Sequence, residues 1–193
     1  MTGTIRLRQT GFVVLALVIA SVACSLGGTA ATATPRPTDI PVSTEAAGQL
    51  ENVWATAVAG SHDGQVSVVM TEQQLTSYIA IKMAENPDAP FKDPQVRLRD
   101  GKMTLTANAT FQGVKAPIEI ILSAAPDSEG VLKVTIEEAK LGGLPMPAAL
   151  RDSVSTSINE LVIGQIGSEG TGVKITAVTI ADGQMVLTGT LTK

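Results

Sequence analysis

Val96-Arg97-Leu98-Arg99-Asp100-Gly101-Lys102-Met103-Thr104-Leu105-Thr106 returns later in the same chain as Val178-Thr179-Ile180-Ala181-Asp182-Gly183-Gln184-Met185-Val186-Leu187-Thr188. Val, Asp-Gly, Met, Leu and Thr recur at matching places, and Leu98 corresponds to Ile180. In each copy an apolar alternation runs into Asp-Gly and resumes beyond it. A period of two marks a strand with one buried face, and Asp-Gly tolerates the positive φ angles of a two-residue primed turn. Each copy therefore reads as a β-hairpin. Each also follows a segment of helical periodicity, so the chain reads as a helix-then-hairpin unit made twice. This predicts an α+β domain: one curved antiparallel β-sheet, a meander with two Asp-Gly hairpins, packed against two or three amphipathic helices.

The first repeat helix opens at Thr71, which has capping-box spacing to Gln74, while Met70 and Leu75 have the spacing of a hydrophobic staple. Leu75, Tyr78, Ile79 and Met83 form its buried stripe, Gln73, Ser77 and Lys82 point outward, and Asn86-Pro87 stops it. In the second, Pro147 suits a first helical position, Leu150, Val154, Ile158, Leu161 and Val162 mark the stripe, and Gly164 suits the C-terminal stop. Leu50, Val53, Trp54, Ala57 and Val58 predict one further helix upstream. Gln65 to Met70 alternates as a strand. After the first hairpin come strands with Ile118, Ile120, Leu122 and Ala124 facing inward, then Leu132, Val134 and Ile136, with a turn at Asp127 to Gly130. The apolar phase slips between Ile175 and Val178, which predicts a bulge near Ala177.

The first 23 residues read as a signal peptide. Arg6 and Arg8 precede an apolar run from Phe12 to Val22, too short to span a bilayer, which takes about 20 residues, and suited to a signal-peptide core. Ser21-Val22-Ala23-Cys24 resembles the lipobox of bacterial lipoproteins, although Ser21 stands where that motif prefers leucine. Cleavage after Ala23 without lipidation and an uncleaved anchor are the competing readings. The position of the chain's one cysteine at this spot favours acylation of Cys24. Residues 24–44 then form a Pro-, Thr-, Ala- and Gly-rich tether, kept extended by Pro35, Pro37 and Pro41. Residues 45–193 form the single folded domain. The expected location is a bacterial cell membrane, lipid-anchored on its extracytoplasmic side.

Without Arg6 and Arg8, 12 Lys and Arg face 18 Asp and Glu, a net charge of −6. Charge would not draw that surface to anionic lipid, so the acyl chains must hold it there. There is no basic run, and nucleic acid is set aside as a partner. Aromatic residues are 3% of the chain, so any core or pocket is aliphatic. Catalytic signatures are missing. Glu137 and Glu138 are adjacent on a strand, so they are expected on opposite faces and not as a carboxylate pair. The glycines after Gly164 lack the Gly-Lys-Ser/Thr ending of a phosphate loop, and the lone His62 has neither a second ligand for a metal nor a nucleophile motif to serve. No cofactor is expected, and no enzyme.

Four segments together resemble the extracytoplasmic lipoproteins of the YpmS and LmeA type. They are Thr71-Glu72-Gln73-Gln74-Leu75-Thr76-Ser77-Tyr78, the Val-x-Leu-x-Asp-Gly-x-Met hairpin, Leu132 to Pro147 with its Gly142-Gly143-Leu144-Pro145-Met146-Pro147 ending, and the second hairpin. The likeness runs from about Val66 to Leu191. It implies a tubular lipid-binding (TULIP-like) fold, with an amphipathic helix against a curved antiparallel sheet and an apolar groove for acyl chains. The expected function is therefore binding of a lipid or other aliphatic ligand. The candidate groove lining is Leu75, Ile79, Met83, Leu122, Ile136, Leu141, Leu144, Met146, Leu150, Val154 and Ile158. The alternative is a structural or adaptor lipoprotein that contacts envelope proteins through a sheet edge or the connection from Pro87 to Pro94.

Overall fold

The computed structural model describes residues 38–61, 63–161 and 172–192; Cys24, His62 and Gly164 lie outside the described residues. The chain divides into Met1–Thr38 and a compact unit, Asp39–Lys193, which holds every element described here. In order these are α1 (Thr44–Glu51), α2 (Val53–Ala59), β1 (Gln65–Thr71), α3 (Glu72–Glu85), β2 (Phe91–Arg99), β3 (Lys102–Phe111), β4 (Val114–Pro126), β5 (Leu132–Leu141), β6 (Leu144–Pro145), α4 (Ala148–Leu161), β7 (Val173–Ala181) and β8 (Gln184–Leu191).

The domain is α+β and antiparallel, as expected, but its strands form two sheets instead of one: β1-β8-β7 and β2-β3-β4-β5-β6. The reason lies in β1. Its buried alternation, Val66, Val68 and Met70, matches that of β8, placing Val68 opposite Leu187 and Met70 opposite Met185. β8 thus has β7 on one side and β1 on the other and no edge left for the first hairpin, while β7 becomes the edge of its own sheet.

The two hairpins meet at their turns. Asp100 and Gly101 have φ of 52° and 74°, and Asp182 and Gly183 of 50° and 83°, which are the left-handed values a primed turn requires. Gly101 N–H donates to the Ile180 carbonyl at 3.1 Å, and Gly183 N–H donates to the Leu98 carbonyl at 3.0 Å. These four residues are equivalent in the repeat, so the bonds are reciprocal, as across a local two-fold axis. The repeat docks against itself.

Helix α3 seals the free edge of β2. Its capping box forms as expected: Thr71 Oγ1 accepts from Gln74 N–H, and Gln74 Oε1 accepts from Thr71 N–H. One turn apart on this helix, Glu72 and Thr76 then reach the strand. Leu98 N–H donates to Glu72 Oε1 at 2.7 Å, and Val96 N–H donates to Thr76 Oγ1 at 2.9 Å. Side chains here take the place of a neighbouring strand, which blunts an edge that would otherwise invite pairing. Ser77 is fully buried, not outward as its place off the apolar stripe suggested. The cause is α1, which packs across α3, with Ser43 N–H donating to Ser77 Oγ at 3.0 Å. Replacing Thr76 by Val leaves the Val96 N–H buried without a partner. The expected cost is about 1–3 kcal/mol in urea unfolding, with a shift in midpoint and no change in slope.

The single upstream helix expected over Leu50 to Val58 is broken at Asn52 (φ −99°, ψ 1°), so α1 packs on α3 while α2 turns onto β1. The bulge foreseen near Ala177 is present, and Gly189 sits opposite it. A Cβ at Gly189 would stand 2.5 Å from the Lys174 carbonyl oxygen, so only glycine fits. A second bulge, where Ile121 pairs Glu138 but Leu122 pairs Ile136, makes Glu137 the extra residue. It overturns the expectation that Glu137 and Glu138 take opposite faces. Both lie on the polar outer face, Glu137 paired with Lys102 and Glu138 with Lys140. Lys102 and, after it, Ser123 hold the Glu137 carboxyl below its usual range, and Glu138 with Glu119 holds the Lys140 ammonium above its own.

The turn expected at Asp127 to Gly130 is closed by the Asp127 carboxylate, which accepts from Val131 N–H (2.9 Å) and Glu129 N–H (2.8 Å). These bonds lower its pKa. A carboxyl whose folded pKa lies below its unfolded value stabilises the fold above the unfolded value, about 3.9, and loses that contribution as pH falls through the folded one. Asp127→Asn should therefore melt below wild type at pH 7, with the gap closing under acid; thermal melts between neutral and acid pH measure it.

Candidate functional site

Helix α3 and the five-stranded sheet form one well-knit body, because α3 packs on α1, β1 and β2 together. Helix α4 is held differently. It turns Leu150, Val154 and Ile158 inward at a spacing of four, and its packing is chiefly against β5. The seam beneath it runs from Met146 and Leu150 near the sheet end to Ile158 and Leu161, roughly 20 Å along a helix of this length. At the far end of the seam lies an apolar void of about 20 Å³. It is walled by Leu75 and Ile79 of α3, Ile158 and Leu161 of α4, and Val96, Met103, Leu105, Leu122, Leu132, Val134 and Met185 of the strands.

Four of the residues expected to line a groove meet at this void: Leu75, Ile79, Leu122 and Ile158. Met146, Leu150 and Val154 are buried along the seam leading to it. The rest are elsewhere. Met83 borders a surface cleft of about 420 Å³ with Val42, Ala80 and Pro94, and Ile136 borders one of about 350 Å³ with Arg151, Asp152 and Ser155. Leu141 is half-buried, and Leu144 is 71% exposed, so the expected cluster of Leu141, Leu144 and Met146 is split by its own turn. Val96, Met103, Leu105, Leu132, Val134, Leu161 and Met185 were not in the expected lining. Strand alternation, and for Leu161 the helical stripe, showed them facing inward, but not which inward faces meet.

The void has room for about one water, yet it offers no polar wall to hold one, so it is dry. It is far below the roughly 150 Å³ that admits even benzene. Among the described residues no buried side-chain nitrogen or oxygen lacks a hydrogen-bond partner, and no group of three or more His, Cys, Asp or Glu could hold a metal. No described helix is long and apolar enough to cross a membrane. The wall of this void is apolar throughout.

Two antiparallel sheets locked at their hairpin turns, with helices over an aliphatic interior, define an α+β domain. The chain belongs to the LmeA-like phospholipid-binding family, whose model matches residues 20–190. No curated protein and no solved structure matches it.

Proposed function

We propose that the domain binds phospholipid without catalysis, by admitting an acyl chain between α4 and the five-stranded sheet. The observation that carries this reading is the dry void beneath a helix packed chiefly on one strand. In the closed state described here the void is too small for an acyl chain, so α4 moves outward on loading. Displacement takes Leu150, Val154 and Ile158 off the sheet, at about 1.5–3 kcal/mol each if water replaced it. An acyl chain replaces it instead and contributes about 0.8 kcal/mol for each CH₂ it buries. Family membership supports the ligand class. The sequence of the export segment supports acylation of Cys24 and residence on the extracytoplasmic side of a bacterial membrane.

Solvent extraction and mass spectrometry of the chain purified from membranes should return phospholipid in near-stoichiometric amount. A chain that carries none, and takes up none from vesicles, overturns the proposal. Labelled fatty acid should enter the wild type and not Cys24→Ala.

A further inference from the structure

Residues 141–150, Leu-Gly-Gly-Leu-Pro-Met-Pro-Ala-Ala-Leu, contain no polar side chain. A segment of that composition would ordinarily be interior. Here it lies at one end of the five-stranded sheet, and seven of the ten residues are exposed: Gly142, Gly143, Leu144, Pro145, Pro147, Ala148 and Ala149. The exposure is built in. Gly142 and Gly143, at φ of 59° and 83°, form a tight turn that returns the chain as β6 and leaves Leu144 71% exposed. Gly142 N–H donates to the Pro117 carbonyl at 2.7 Å, fixing the turn against β4. At the same end the β3–β4 turn, with Gln112 and Gly113 also at positive φ, presents Val114 at 66% exposure. Val114 and Leu144 are the two most exposed large apolar side chains among the described residues. Beside Val114, Lys115 is exposed and makes no ion pair among the described residues.

We propose that this end of the sheet docks into the surface of a phospholipid bilayer, with Leu144 and Val114 inserted among the acyl chains and Lys115 at the phosphates. The inference rests on the phospholipid-binding reading and adds the surface by which the domain meets its source of ligand. Composition decides between a bilayer and a protein partner. Protein interfaces concentrate binding energy in Trp, Tyr and Arg, ringed by hydrogen-bonding groups, and this segment offers none of these. A bilayer needs only apolar side chains that go in and a cation that stays at the surface. The position fits as well. The exposed segment runs directly into α4, so the seam beneath that helix opens, at Met146 and Leu150, where the membrane would lie.

The test uses the full chain in vesicles of phosphatidylcholine and phosphatidylglycerol that carry brominated acyl chains, which quench tryptophan on contact. The native Trp54 is buried and sets the baseline. Leu144→Trp should be quenched several-fold more than Glu129→Trp, a control on the exposed turn at the opposite end of the sheet. Equal quenching of the two overturns the proposal. So does Leu144→Trp emission that shifts to the blue without being quenched, because a protein partner or a second copy then covers the site. Val114→Asp together with Leu144→Asp should slow phospholipid uptake from vesicles several-fold without lowering the amount finally bound; an unchanged rate counts against docking. Phospholipid extraction from the same samples separates the two readings. Bound lipid with no quenching overturns the docking surface alone, and quenching with no bound lipid overturns the interior site alone.

Discussion

Glu72→Ala should lower the unfolding free energy by about 2–4 kcal/mol, a large fraction of the 5–15 kcal/mol that holds a domain together. Glu72 stands where the repeat meets itself. Its Oε1 accepts from Leu98 N–H at 2.7 Å and from Arg99 Nη1 at 2.6 Å, its Oε2 lies 3.5 Å from Arg97 Nη1, and its own N–H donates to the Gly183 carbonyl. The side chain is only 13% exposed, so solvent screens these contacts weakly. Alanine leaves the Leu98 N–H without a partner, and that loss alone costs about 1–3 kcal/mol. The bonds to the arginines add less, since Arg99 is half-exposed and water replaces its partner. Glu72→Gln should recover part of the loss, because its amide oxygen can still accept from Leu98. Urea unfolding of the three proteins measures this; equal stability of Glu72→Ala and wild type would show that the turns hold each other without the carboxylate.

Ile158→Asp should remove bound phospholipid, lowering occupancy at least about tenfold, which corresponds to 1.4 kcal/mol of binding free energy. Ile158 is buried, lines the void from α4 and faces only aliphatic side chains. A carboxylate there has no partner, and the low-cost escape is for α4 to leave the sheet. The β1-β8-β7 sheet and α3 meet this void only through Met185, Leu75 and Ile79 and keep the rest of their packing, so a cooperative unfolding transition should survive. Ile158→Leu, which conserves volume, should retain lipid. Extraction and mass spectrometry report occupancy, and circular dichroism reports the fold. Full occupancy in Ile158→Asp would place the ligand elsewhere.

What the sequence revealed and what it hid divide along physical lines. Turn chemistry is local, so the Asp-Gly turns, the Thr71 capping box and the Asp127 turn could all be read in advance, as could the bulge, where a phase slip between Ile175 and Val178 had to be absorbed. Partner choice between strands is not local. Nothing in β8 alone says whether β1 or β3 takes its open edge, so two sheets were read as one. Ser77 was misplaced for the same reason: its helix carries one stripe by composition but is covered on two sides by α1 and the sheet. The candidate site was half legible. The inward stripes of α3 and α4 supplied Leu75, Ile79 and Ile158, but the strand positions they meet depend on how the layers cross. Leu144 shows the reverse error, an apolar residue assigned to the interior by its chemistry that the Gly142-Gly143 turn places in solvent.

Proposed entry of phospholipid beneath α4 should be visible in hydrogen exchange on the full chain with and without bound phospholipid. Amide exchange across 148–161 should change on loading, together with that of the facing strand 132–141, while α3 and the reciprocal turns at 98–101 and 180–183 keep their rates. Unchanged exchange in α4, with protection arising instead along α1 and α2, would contradict the account.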